Sequence, residues 1–130
     1  MQVAFTSDRS GSPQIYVISA DGTGGVRRLT GESYCDRPTW SPPPFNEIAY
    51  ASRTGSGYDI KILDVASAAV RQVTFGEGSN ESPAFAPNGR HLAFSSTRSG
   101  RWQIYLIDRE GKRLVQITRA GNNTYPDWSR

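Results

Sequence analysis

Cysteine occurs once in the 130 residues, at Cys35, which rules out an internal disulfide and a cysteine-cluster metal site. Histidine is as scarce. The single His91 follows directly on the Asn88–Arg90 turn and reads as a turn or strand-edge side chain. No G-x-S-x-G elbow is present, so a Ser-His-Asp site has no anchor. The carboxylates stand singly and form no loop with calcium-ligand spacing. A noncatalytic protein with no metal and no cofactor is therefore the expectation. Long apolar runs are missing too, and nothing approaches the roughly 18–20 residues that a membrane-spanning helix needs. No window shows a helical hydrophobic period with caps. The opening MQVAFTS has no charged stretch followed by an apolar one. It leads to the expectation of a chain that stays inside or is a piece of a longer precursor.

Clustered charge is also absent. The net charge is +3, and thirteen of the fifteen basic residues are arginine. Among the arginines only Arg27 and Arg28 are adjacent, whereas a nucleic-acid binder concentrates its cations on one element or face. Nucleic acid is therefore not an expected partner. With 36% hydrophobic residues the chain carries apolar material for a single core.

What the sequence does have is a threefold repeat at about 44 residues. VAFTSDRSGSPQIYVI from Val3, IAYASRTGSGYDIKIL from Ile48 and LAFSSTRSGRWQIYLI from Leu92 align without a gap. VRRLT, VRQVT and LVQIT follow, ending at Thr30, Thr74 and Thr118. Then RPTWS, SPAFA and YPDWS place Trp40, Phe85 and Trp128 two residues after a proline. Such a period signals units that cannot bury their apolar faces alone and stack to do so. The repeats divide the single domain, residues 1–130, approximately into 3–47, 48–91 and 92–130.

Each repeat reads as four short strands: the proline-aromatic segment, the IAY-type segment, the QIYVI-type segment and the VRRLT-type segment. The connections are turn chemistry, as in DGTGG from Asp21 and the NGR of Asn88–Arg90, and links this short make antiparallel neighbours. In QIYVI, DIKIL and QIYLI both faces are apolar or aromatic, unlike a sandwich strand with one wet face. A four-stranded sheet buried on both sides and repeated in series fits a propeller blade. The more polar VRRLT-type strands suit the outermost position, where charge discourages edge pairing. Trp40, Phe85 and Trp128 read as anchors between blades.

The order proline, aromatic, Ser-Pro, then IAF-type, S-x-R-x-G, IYxxD and LT resembles the WD-like repeats of TolB-type β-propellers. It does so through SDRSG, QIYVI, RRLT and RPTWSP in the first repeat, and STRSG, QIYLID, VQIT and YPDWS in the third. Three departures stand out: SPPPFNE in place of the SPDG turn, Phe85-Ala86 in place of WS, and Lys61 in place of the tyrosine. The resemblance implies an all-β fold of propeller blades, three four-stranded antiparallel repeats making half of a six-bladed ring. It implies a protein- or peptide-binding role like that of the TolB C-terminal propeller, in the periplasm. Its partners there would be envelope proteins such as the peptidoglycan-associated lipoprotein. The alternative it leaves open is a propeller module of a larger enzyme, such as a prolyl-oligopeptidase-type peptidase.

The chain opens with the second strand of a blade at Val3 and closes with the first strand of another at Tyr125–Arg130. The expectation is a homodimer in which 125–129 of each copy supplies the inner strand of the other's first sheet. Loops entering the inner strands and loops joining the second and third strands fall on one face, around the channel. There they gather Arg9, Tyr34, Asp36, Arg37, Arg53, Asn80, Glu81, Arg98, Asn123, Thr124 and Tyr125. Aromatic, carboxylate and guanidinium groups together suit a peptide or loop held by hydrogen bonds and charge pairs, so these residues are the candidate partner-binding site.

Overall fold

The computed structural model describes residues 1–129, and among them eleven strands make three antiparallel sheets with no helix. The first sheet has three strands, β1 (Gln2–Ser7), β2 (Gln14–Ser19) and β3 (Arg27–Arg28), in that order. The second runs β4 (Cys35–Trp40), β5 (Glu47–Thr54), β6 (Gly57–Asp64) and β7 (Val70–Gln72). The third repeats that order with β8 (Asn80–Phe85), β9 (His91–Ser96), β10 (Gln103–Asp108) and β11 (Val115–Gln116). Each sheet is a blade of a propeller, and the first lacks an inner strand. Residues 125–129 belong to no ladder. Arg130, the last residue of the expected C-terminal strand, lies outside the described residues.

Strand alternation sends successive side chains to opposite faces, and in the middle blade both faces are filled. Ile48, Tyr50 and Leu63 pack with Ile15 and Val17 of the first blade. Ala49, Ala51, Ile60, Ile62 and Val73 pack with Phe85, Leu92, Phe94, Tyr105 and Ile107 of the third. Small alanines of β5 thus meet large rings of β9 and β10, which lets the sheets approach closely. Trp40 packs against the first of these clusters, and Phe85 sits inside the second. Trp40 and Trp128 are only half-buried, and their indole N–H groups donate to Asn46 Oδ1 (3.0 Å) and the Ala84 carbonyl (2.9 Å).

A polar device recurs at the start of each third strand. Thr30 Oγ1 accepts from the Ile15 N–H (2.9 Å) and donates to Gln14 Oε1 (2.6 Å). Thr74 does the same between Ile60 and Asp59 (2.9 and 2.8 Å), and Thr118 between Ile104 and Gln103 (2.8 and 2.7 Å). The threonine of each LT pair therefore clamps the short fourth strand onto the third. It also satisfies polar groups that the neighbouring blade would otherwise bury bare.

The departures from the repeat have local causes. Lys61, where the other repeats carry Tyr16 and Tyr105, forms an ion pair with Glu32 (2.6 Å). Within SPPPFNE, Phe45 lies against the third blade, 4.2 Å from the Arg109 guanidinium and close against Gly89. A Cβ at Gly89 would come within 2.8 Å of the Phe45 ring, so glycine is needed there for packing as well as for its φ of 69°. Nearby, the buried Glu47 carboxylate joins Arg71 (2.9 Å) of its own blade to Arg109 (2.6 Å) of the next.

The two outer faces are left open. Ile60, Ile62 and Val73 are buried beneath the third blade, but their counterparts Ile104 and Leu106 are half-buried and Ile117 is 49% exposed. On the opposite side Ile48 and Leu92 are fully buried, whereas their counterpart Val3 is 49% exposed. The repeat thus supplies its own control, since the equivalents of Ile104, Leu106 and Val3 are buried wherever a neighbouring blade covers them.

Thr74→Val keeps the volume but strands the Ile60 N–H and removes one donor from the Asp59 carboxylate, and should cost about 2 kcal/mol in urea unfolding. A second expectation concerns acid. Burial alone would raise the Glu47 carboxyl, but hydrogen bonds and charge from Arg71 and Arg109 hold it below the usual glutamate value. A depressed folded pKa stabilises above the unfolded value and loses that stabilisation as pH falls through the folded one. Because both arginines are partly exposed, Glu47→Gln should lose about 2 kcal/mol at pH 7, less than a fully buried pair. The gap to wild type should close below about pH 4, as thermal unfolding across pH would show.

Candidate functional site: the channel wall

The inner strands of the two four-stranded blades are bulged at equivalent places. Pairing of β4 with β5 slips between Asp36 and Thr39, and pairing of β8 with β9 slips between Glu81 and Ala84. The residue before the proline in each case, Arg37 and Ser82, has φ of 56° and 55°, and Tyr125 in the C-terminal segment has 57°. Left-handed backbone at a non-glycine residue costs on the order of 1–2 kcal/mol, and a following proline restricts the residue further. The three side chains, with Asp36, Pro38, Pro83 and Pro126, line an opening of about 350 Å³. Arg37 Nη2 donates to the Tyr125 hydroxyl (3.1 Å), and its guanidinium lies 4.6 Å from that ring's centroid. Asp36 Oδ1 accepts the Arg37 N–H (2.7 Å).

The other three candidate arginines are each held by rings. Arg9 donates through Nε to Ser7 Oγ (2.9 Å) and stacks near Phe5 and Tyr16. Arg98 repeats the device on Ser96 (3.1 Å), Phe94 and Tyr105, and also donates to Asn80 Oδ1 (2.9 Å). Arg53 lies 5.0 Å and 5.6 Å from the centroids of Tyr34 and Tyr58, which meet edge to face. Serine two residues before the arginine in the first and third repeats thus folds the guanidinium back over its own blade.

The remaining candidates divide. Glu81, Thr124 and Tyr125 line a smaller opening of about 160 Å³ with Ser82, Ser95 and Trp102. Asn123 is tied into its loop, donating to Gln103 Oε1 (2.9 Å) and the Ala120 carbonyl (2.8 Å). Asn80 is fully buried, donating to Asp59 (3.1 Å) and accepting from Arg98, so it belongs to the wall's interior and presents nothing to a partner. That corrects its expected place on the surface: a strand-entry asparagine beside a buried aspartate is drawn inward to satisfy it. The structure therefore gathers Asp36, Arg37, Glu81, Thr124 and Tyr125 on the wall, Tyr34 with Arg53 beside them, and Arg9 and Arg98 against their own blades. Sequence reasoning missed Ser82, although its signal was present in the aligned RP, SP and YP pairs.

Glu32 completes the junction behind the mouth. Burial would raise its carboxyl, but Lys61, Ser52 (2.7 Å) and Tyr50 (2.8 Å) donate to it and hold it below the usual value. Burial, then the Glu32 charge, pushes the Cys35 thiol up, which keeps it protonated and unreactive. No group of histidine, cysteine, aspartate and glutamate among the described residues is placed to hold a metal ion.

Residues 32–130 match the TolB beta propeller domain. An uncharacterised protein of Agrobacterium fabrum is 32% identical over 121 residues, 91% of this chain and 39% of that one. The Tol-Pal system protein TolB of Nitrosospira multiformis is 37% identical over 111 residues, 82% of this chain and 25% of that one. The crystal structure of TolB from Acinetobacter baumannii superposes with a TM-score of 0.82 at 31% identity, covering 98% of this chain and 35% of that one. The chain thus spans well under half the length of the relatives it matches. Fold, repeat and match agree: the chain belongs to the TolB β-propeller domain family.

Proposed function

We propose that this chain is a noncatalytic scaffold that binds a protein or peptide at the channel mouth. The observation that carries this reading is the contrast between what repeats and what does not. The Thr30, Thr74 and Thr118 clamps and the blade clusters recur, while the wall position reads Arg37, Ser82 and Tyr125. Loops and bulges on a fixed frame can change side chains without disturbing blade packing, so specificity belongs there. Family membership and Tol-Pal relatives support envelope proteins as the partner class, the peptidoglycan-associated lipoprotein among them, and a periplasmic setting. A peptidase that used such a propeller as a module would need its catalytic groups in a further domain.

The open faces support a ring closed by a second copy. The face of the third blade around Ile104, Leu106 and Ile117 is of the kind that receives a blade in the first two repeats, and the face around Val3 is of the kind that gives one. Two copies related by a twofold axis bring each open face against the other kind, and residues 125–129 reach the first sheet's vacant inner edge. Such an interface would exceed about 2,000 Å² in total, the obligate range.

Two experiments check these readings. Arg37→Ala with Glu81→Ala should weaken capture of peptidoglycan-associated lipoprotein at least tenfold. The exposed outer-strand pair Arg27→Ala with Arg28→Ala should leave it unchanged. The reverse pattern would move the site to the rim. For the ring, light scattering should give twice the 14.3 kDa of one chain, and Ile117→Glu or loss of Tyr125–Arg130 should give a monomer or unfolded chain. A well-folded wild-type monomer would refute the dimer.

A further inference from the structure

We infer that the residue before each inner-strand proline is the specificity-determining position of this propeller, and that Arg37, backed by Tyr125, takes a carboxylate of an extended acidic peptide there. The inference rests on the channel-mouth reading and gives its ligand a chemistry.

The backbone points to the position. Arg37, Ser82 and Tyr125 share one conformation, with φ of 56°, 55° and 57°, although each bears a side chain and precedes proline. Glycine would occupy that conformation without strain, yet none of the three is glycine. The proline stays constant while the side chain changes from guanidinium to hydroxyl to phenol. A strained backbone kept in every repeat, with only its side chain varied, indicates a task for that side chain outside the fold.

The side chains point to the ligand. Arg37 has five N–H donors and uses one on the Tyr125 hydroxyl, and among the described residues it makes no ion pair. Arg71 and Arg109, by contrast, share the Glu47 carboxylate. The Tyr125 ring fixes the Arg37 guanidinium from one side, so its fork is oriented before a ligand arrives, and that fork matches a carboxylate through two parallel bonds. Asp36 does not neutralise it. Its Oδ1 takes the Arg37 N–H and the Thr6 hydroxyl (3.4 Å), which leaves the other oxygen to accept a peptide N–H. The opening sets the polar groups of Asp36, Arg37, Ser82 and Tyr125 beside the rings of Pro38, Pro83 and Pro126 and, at about 350 Å³, admits a side chain with its flanking backbone.

The test uses end-blocked decapeptides of glutamate and of glutamine, titrated at low salt while the Arg37 Nε–H and Tyr125 ring signals are followed by NMR. The glutamate peptide should shift both signals and bind at least tenfold more tightly than the glutamine peptide. Arg37→Gly should lose that tenfold yet unfold at or above the wild-type temperature, because glycine relieves the strain. Arg37→Lys should recover only part of the binding. Unchanged binding in Arg37→Gly would overturn the inference while leaving channel-mouth binding intact. A fall of many degrees in its unfolding midpoint would overturn it too, by making Arg37 a structural residue. Equal shifts from acetate or phosphate at matched charge would reject the peptide in favour of a free anion. Shifts confined to Arg27 and Arg28 would sink this inference and the channel-mouth reading together.

Discussion

Ile60 and Ile62 lie under one neighbouring blade while Ile48, Tyr50 and Leu63 lie under the other, and the sheet that carries them has no wet face in its interior. Burial of a large aliphatic side chain contributes about 1.5–3 kcal/mol, and these side chains are covered by the blades on either side. The remaining features answer to this dependence. The LT threonines are needed because strand ends pressed between sheets cannot reach water. Glu47 can be buried because arginines from two blades reach it at once. The open faces at Val3 and Ile117 are what the same dependence leaves where no neighbour is present.

Much of this was legible in the sequence, for a physical reason. Doubly apolar strands such as DIKIL admit few architectures, and three gapless copies at one period leave the propeller. Other features were hidden because they depend on pairing across blades. The partner of Lys61 is Glu32, separated by β4 and β5, and no local pattern announces that link. Phe45 looks like a disrupted turn until Gly89 and Arg109 are seen on either side of it. The tryptophans read as anchors between blades, but Trp40 and Trp128 are both half-buried, each with its indole N–H turned to an acceptor on another segment.

The site was legible as a region and less so residue by residue. Loop ends on one face could be named from topology alone, and of those named, Asp36, Arg37, Glu81, Thr124 and Tyr125 line the two openings. Polar side chains at strand entries do two jobs, however, and spacing does not separate them. Asn80 and Asn123 satisfy neighbouring polar groups, whereas among the described residues Arg37 hydrogen-bonds to Tyr125 and, through its backbone, to Asp36. Burial decides between these jobs, and burial depends on the neighbouring blade.

The same neighbour relation accounts for how a strained wall persists. Three left-handed residues, at on the order of 1–2 kcal/mol each, would by themselves remove a sizeable part of a typical domain's stability. Arg37 and Ser82 are tolerated because Trp40 and Phe85, just past the bulges, are fixed in the blade clusters. Relaxing the bulge would slip the register and turn those side chains out of the core, at a greater cost than the strain. Packing between blades thus holds the wall side chains in place in the absence of a ligand. A ligand that meets them has little ordering left to drive, which favours affinity from few contacts.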